Sequence, residues 1–106
     1  MPSEKSAKPW YLYVIETKNG LYYTGISTDW QRRFEEHASN SPKTAKALKG
    51  KGPLCLLFVV QLDDHSRALK AELWLKKQSK RHKTLIVKGL LPIPFEHSIV
   101  PFKQTL

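Results

Sequence analysis

The sequence predicts a small α/β domain of the mixed kind, with three strands and helices packed on the sheet. Three observations carry this. The first is a pair of aromatic, β-branched segments, 10–17 and 21–27, joined by Lys18-Asn19-Gly20. The second is a continuous apolar run, 54–62, of the length of one buried strand. The third is a set of segments with helical spacing after each strand unit, which gives the order strand, strand, helix, helix, strand, helix, helix.

Residues 10–17 and 21–27 are rich in Trp, Tyr, Val, Ile and Thr, the residues that suit a pleated surface. Lys18-Asn19-Gly20 is the hairpin turn between them. Turn length decides which side chains meet. A two-residue Asn-Gly loop pairs Tyr23 with Glu16 and leaves Tyr13 on the other face. A three-residue loop, with Gly20 left-handed, pairs Tyr23 with Ile15 and Tyr13 with Gly25, so that both tyrosines share a face. Local chemistry allows either.

The next segment starts a helix at Thr28, an N-cap with Gln31 as the reciprocal capping-box residue. Trp30, Phe34 and Ala38 form its apolar stripe. Arg33 and His37, one turn apart, share a face beside that stripe, and Arg32 points outward. Ser41-Pro42 is expected to open a short helix stopped by Gly50. The strand 54–62 follows, with Cys55 expected as a buried thiol. Asp63 or Asp64 caps a long helix over 65–78, and Ser79 caps a last helix ending at Gly89. Residues 1–9 read as a loose arm, 10–89 as the domain and 90–106 as a tail packed as extended chain.

The 106 residues carry 18 Lys and Arg against 9 Asp and Glu, a net charge of +9. The resulting pI near 9.8 is the electrostatic footprint of a nucleic-acid binder. The positive charge is clustered. Lys43, Lys46, Lys49 and Lys51 form one group without an acid among them. Lys76, Lys77, Lys80 and Arg81 begin a second, which continues to Lys88. Either group can neutralise phosphates, and either can be a solvated face. A single cysteine permits no internal disulfide and fits a reducing, cytoplasmic setting. No run is long and apolar enough for a membrane span, so a membrane partner is not expected. The four histidines lack zinc-site spacing.

Tyr13, Tyr23, Arg33, His37 and Glu72 are the candidate catalytic residues. Each has a plain alternative. Tyrosines pack strands, an arginine stem covers an apolar stripe, and His37 suits a partly buried polar position. Glu72 has Lys76 one turn on and could be an ordinary surface ion pair. The functional reading makes Glu72 the ligand of a hard divalent cation, for which one protein carboxylate suffices when phosphate supplies other oxygens.

In register, these residues resemble the GIY-YIG nuclease superfamily. Tyr11-Leu12-Tyr13 stands at its first motif and Tyr23-Thr24-Gly25 at its second, ten residues on. Arg33 matches the helix arginine, His37 a position filled by His or Tyr, and Glu72 the metal-binding glutamate. The pattern is similar to that of the small stand-alone bacterial members of the YhbQ type. It departs from the excision-repair type at Ile26, where that type has a lysine. The resemblance implies a three-stranded antiparallel sheet flanked by helices. It also implies the three-residue hairpin loop and phosphodiester hydrolysis with one Mg²⁺ or Mn²⁺ held by Glu72. The expected partner is nucleic acid, DNA first, with a protein partner available for targeting. Two other readings are a non-catalytic nucleic-acid-binding module that keeps the fold, and a protein-interaction adaptor using the apolar tail.

Overall fold

A computed structural model of the chain describes residues 8–102. The expected arm and tail extend beyond these, so residues 1–7 and 103–106 lie outside the described residues. The fold is an antiparallel sheet flanked by helices. Strands β1 (Trp10–Glu16), β2 (Tyr22–Ser27) and β3 (Cys55–Leu62) form its body, and a two-residue strand β4 (Ser98–Ile99) extends it. The strand order is β2-β1-β3-β4, with β1 central.

The hairpin takes the register of the three-residue loop. Ile15 pairs with Tyr23 and Tyr13 with Gly25. Gly20 has φ +85°, the left-handed conformation that closes such a loop. Thr17 fixes the turn from within, since its backbone N–H donates to the Leu21 carbonyl at 2.8 Å and its Oγ1 accepts from the Leu21 N–H at 3.0 Å.

Alternation along β1 divides the core into two. Leu12 and Val14 point to one face, where they meet Val60 and Leu62 of β3. Helix α2 (His65–Lys76) covers that face with Ala68, Ala71 and Leu75, and α3 (Lys80–Val87) adds Ile86. Tyr13 and Ile15 point to the other face, with Val59, Leu56 and Leu48. Helix α1 (Trp30–Ala38) lays Trp30 and Phe34 on this second cluster. Each cluster buries several large side chains, each worth roughly 1.5–3 kcal/mol of transfer free energy. The caps of α2 and α3 are Asp64 and Ser79, whose side chains accept from the N–H groups of Arg67 and His82.

Three local expectations are corrected. The α1 cap is Asp29, not Thr28: its carboxylate accepts from the Arg32 N–H at 3.1 Å, while Ser27 Oγ accepts from the Asp29 N–H. A carboxylate one residue nearer the helix is the better-placed acceptor. Residues 41–50 do not form the expected helix; they make a turn and one 3₁₀ turn, Lys46–Leu48. Docking on α1 competes with the helical ladder here, because Thr44 and Ala45 bond to α1. Cys55 is exposed rather than buried. It begins β3 opposite Glu16 at the end of the ladder, and the alternation turns Leu56 inward in its place. The tail packs against the sheet and the helices. Ile93 is buried on the α2 face, Phe95 meets Trp74, Ser98–Ile99 pair with β3, and Phe102 reaches Trp30 on the opposite face.

Candidate active site

Tyr13 lies at the middle of the central strand and is 2% exposed. Its ring runs across the neighbouring strand above Gly25. A Cβ added at Gly25 would lie 2.5 Å from the Tyr13 hydroxyl oxygen and 2.6 Å from Cζ. The missing side chain of Gly25 is therefore the space that the phenol occupies. Tyr23, two residues earlier on β2, shares the face, with its ring centroid 6.4 Å from that of Tyr13.

Helix α1 supplies the groups above them. His37 is 1% exposed, with ring centroids 6.2 Å from Tyr13 and 5.6 Å from Tyr23. Its Nε2 is 3.3 Å from the Tyr13 hydroxyl, and its Nδ1 accepts the Ala45 backbone N–H at 3.2 Å. Burial, and next the charge of Arg33, push the His37 pKa down to about 4 against a pull from Glu36, so the ring is neutral near pH 7. Arg33 is one turn away. Its Nη1 donates to Glu36 Oε1 at 2.9 Å and to the Lys43 carbonyl at 2.7 Å. That hydrogen bond draws the half-buried Glu36 carboxyl below its ordinary range.

Glu72 approaches from α2, on the opposite side of the sheet, where that helix packs against β2 and β1. Its side chain is 15% exposed, and Oε2 lies 3.2 Å from Lys76 Nζ. Its charge still registers at Tyr13. Burial first, then Tyr23 and also Glu72, raise the Tyr13 pKa above that of a free phenol, while Arg33 draws it down. Tyr13, Tyr23, Arg33 and His37 thus gather on one face of the sheet, while Glu72 stands on the helix of the other face and is the weakest of the charges felt at Tyr13.

The first lysine group is carried by a segment that packs on α1. The segment that carries Lys43, Lys46, Lys49 and Lys51 is clamped to α1 by Arg33 on the Lys43 carbonyl, by Thr44 Oγ1 on the Glu36 carbonyl at 2.8 Å, and by the Gly50 N–H on Asn40 Oδ1 at 3.2 Å. Three of the four lysines are exposed; Lys51 is half-buried. The second group is more divided. Lys77 and Arg81 are exposed, Lys76 pairs with Glu72, and the Lys80 ammonium donates to the Gly20 carbonyl and lies 4.0 Å from the Tyr22 ring centroid. Gly25, Glu36 and the Ala45 N–H were not among the candidates from sequence. The three-residue hairpin register points to Gly25 and helical spacing from Arg33 points to Glu36. A backbone donor leaves no side-chain signal.

The pattern of the GIY-YIG catalytic domain matches residues 9–85. The chain belongs to the GIY-YIG family. It is 49% identical over 79 residues to the UPF0213 protein YhbQ of Escherichia coli O8 (strain IAI1), which covers 74% of this chain and 77% of that protein. With the UPF0213 protein YhbQ of Salmonella typhimurium the identity is 48% over the same shares. The solution structure of a UPF0213 protein from Bacillus halodurans is 36% identical, with a TM-score of 0.50 over 76% of this chain and 84% of that one. The chain is thus a YhbQ-type, nuclease-like GIY-YIG protein. No helix among the described residues is long and apolar enough to cross a membrane.

GIY-YIG relatives set a metal question that the donor set can test. Among the described residues, no group of three or more His, Cys, Asp or Glu could hold a metal ion. Glu72 alone fits a hard divalent cation that keeps most of its water and takes further oxygens from a phosphate. Its present counter-ion, Lys76, already marks that carboxylate as a place for positive charge.

Proposed function

We propose that the protein is an endonuclease that hydrolyses nucleic-acid phosphodiester bonds with one divalent metal, Mg²⁺ or Mn²⁺, and that DNA is its first candidate substrate. The observation that carries the reading is the buried Tyr13 hydroxyl, packed over Gly25, 3.3 Å from a neutral His37 and within the fields of Arg33, Tyr23 and Glu72. A pure packing tyrosine has no need of that company.

In this reading Glu72 is the metal ligand, and the cation supplies Lewis-acid stabilisation of the leaving oxygen. Arg33 leaves the Lys43 carbonyl for the non-bridging phosphate oxygens, where its charge counters that developing in the transition state. Tyr13 accepts the proton of the attacking water as its phenolate. The phenolate forms by loss of the phenolic proton to solvent, favoured by Arg33 and opposed by burial, and a cation on Glu72 would favour that loss further near neutral pH. Tyr23 orients the water or phosphate, and His37 holds the Tyr13 oxygen. Lys43, Lys46, Lys49, Lys51, Lys77 and Arg81 contact flanking phosphates, with Lys76 and Lys80 behind them.

One observation favours the binding module instead: Glu72 is neutralised by Lys76, so the site is electrically complete without a metal. Incubation with labelled linear, nicked and branched DNA and with RNA, in Mg²⁺, Mn²⁺ or EDTA, separates the two. Cleavage in metal and none in EDTA supports the nuclease. Binding to every strand with no cut in either metal supports the module.

A further inference from the structure

The segment between α1 and β3 carries the lysines, and it also touches the site through its backbone. A neutral imidazole has one N–H and one bare nitrogen. At His37 the Ala45 N–H donates to Nδ1, so Nδ1 is the bare nitrogen and the ring proton is on Nε2. That nitrogen is the one 3.3 Å from the Tyr13 hydroxyl. With the ring 1% exposed, no bulk water competes for either nitrogen.

The geometry points to Ala45 as a positioning residue: its backbone N–H fixes His37 as the Nε2–H tautomer, so that the imidazole donates to the Tyr13 oxygen and does not accept from it. The distinction decides what His37 does. An accepting imidazole would take the phenolic proton and act as a relay. A donating one leaves that proton directed elsewhere and stabilises the phenolate oxygen once it forms. The segment that binds phosphate and the hydrogen bond that aims Tyr13 are thereby one structural unit. The tautomer follows from the hydrogen bonds alone; its effect on cleavage rests on the nuclease reading.

Ala45 allows a clean perturbation. Its φ is −56°, within the range that proline imposes, so Ala45→Pro removes the N–H and leaves the local backbone angle. Ala45→Gly keeps the donor and serves as the control. Long-range ¹H–¹⁵N NMR of the labelled full chain at neutral pH tells a protonated ring nitrogen from a bare one. Wild type and Ala45→Gly are expected to show His37 protonated at Nε2 only. Ala45→Pro is expected to populate the Nδ1–H form, with cleavage slowed at least about tenfold and nucleic-acid affinity in EDTA held within about twofold. A wild-type His37 protonated at Nδ1 overturns the inference, whether or not the proline variant folds. So does a folded Ala45→Pro that keeps Nε2–H alone, or one that changes tautomer and cuts at the wild-type rate. If the wild-type protein cuts nothing, the nuclease reading fails separately, and the NMR result still decides the role of Ala45.

Discussion

Gly25→Ala is the most direct probe of how the fold aims Tyr13. The new methyl would start 2.5 Å from the hydroxyl oxygen and 2.6 Å from Cζ, and ordinary contact begins near 3.4 Å, so the phenol must retreat by almost an ångström. It has nowhere free to go. Tyr23 and His37 flank the ring, and Tyr13 is 2% exposed. Overpacking of this kind costs about 1–3 kcal/mol. The hydroxyl lies 3.3 Å from His37 Nε2, so the same movement disturbs that hydrogen bond. For a domain of this size each kcal/mol lowers the melting temperature by about 4–8 °C. A misplacement near an ångström at a reacting group slows turnover on the order of 100-fold. Thermal unfolding by circular dichroism and cleavage of a labelled substrate read the two effects, and binding in EDTA serves as control because no lysine moves. A variant that melts within about 1 °C of wild type and cuts within about threefold of it would refute the argument, since the methyl would then have displaced nothing that matters.

Other outcomes rest on the same geometry. Because the folded pKa of His37, about 4, is below its ordinary value of 6.5, neutral His37 contributes stability that is fully present above pH 6.5 and is lost as pH falls toward 4. The slope approaches about 1.4 kcal/mol per pH unit, and urea unfolding of wild type and His37→Gln between pH 7 and pH 4.5 should show it in the wild type only. Because the Tyr13 pKa is raised, cleavage should climb with pH from neutral into the alkaline range, and Tyr13→Phe should be slow and flat across it. Replacing Lys77 and Arg81 by Ala should flatten the salt dependence of nucleic-acid binding by about 0.9 units for each phosphate that is no longer neutralised, as a filter-binding titration would record. Lys80→Ala should instead lower stability by about 0.5–1 kcal/mol, read by urea unfolding, because its ammonium lies over Tyr22 and on the Gly20 carbonyl.

Most of the fold was legible because its signals are local. The caps Asp64 and Ser79, the stop at Gly89 and the presence of a strand before Asp63 are written in adjacent residues. The hairpin was legible up to one choice, and its resolution is what brings Tyr13 over Gly25. Where tertiary contacts outbid local preference, the sequence misled. Pro42, Ala45, Ala47 and Leu48 suit a helix, yet docking of Thr44 and Ala45 on α1 leaves only one 3₁₀ turn. The β4 strand is two residues long and exposed, too short to carry a periodic signal. In the candidate site, side chains could be nominated from spacing. Their pairing could not, because the Ala45 N–H, the Lys43 carbonyl and the space at Gly25 are properties of the backbone.

Glu72→Gln tests the central claim most directly. The change keeps size and helix propensity and removes the charge that would hold a cation. Wild-type protein should cut labelled nucleic acid in Mg²⁺ or Mn²⁺ and stop in EDTA. Glu72→Gln should cut at least about 100-fold more slowly, the loss of several kcal/mol of Lewis-acid stabilisation, while its binding in EDTA stays at wild-type strength or tightens. A wild-type protein that binds but cuts in neither metal, or a Glu72→Gln protein that cuts as fast as wild type, would contradict the account.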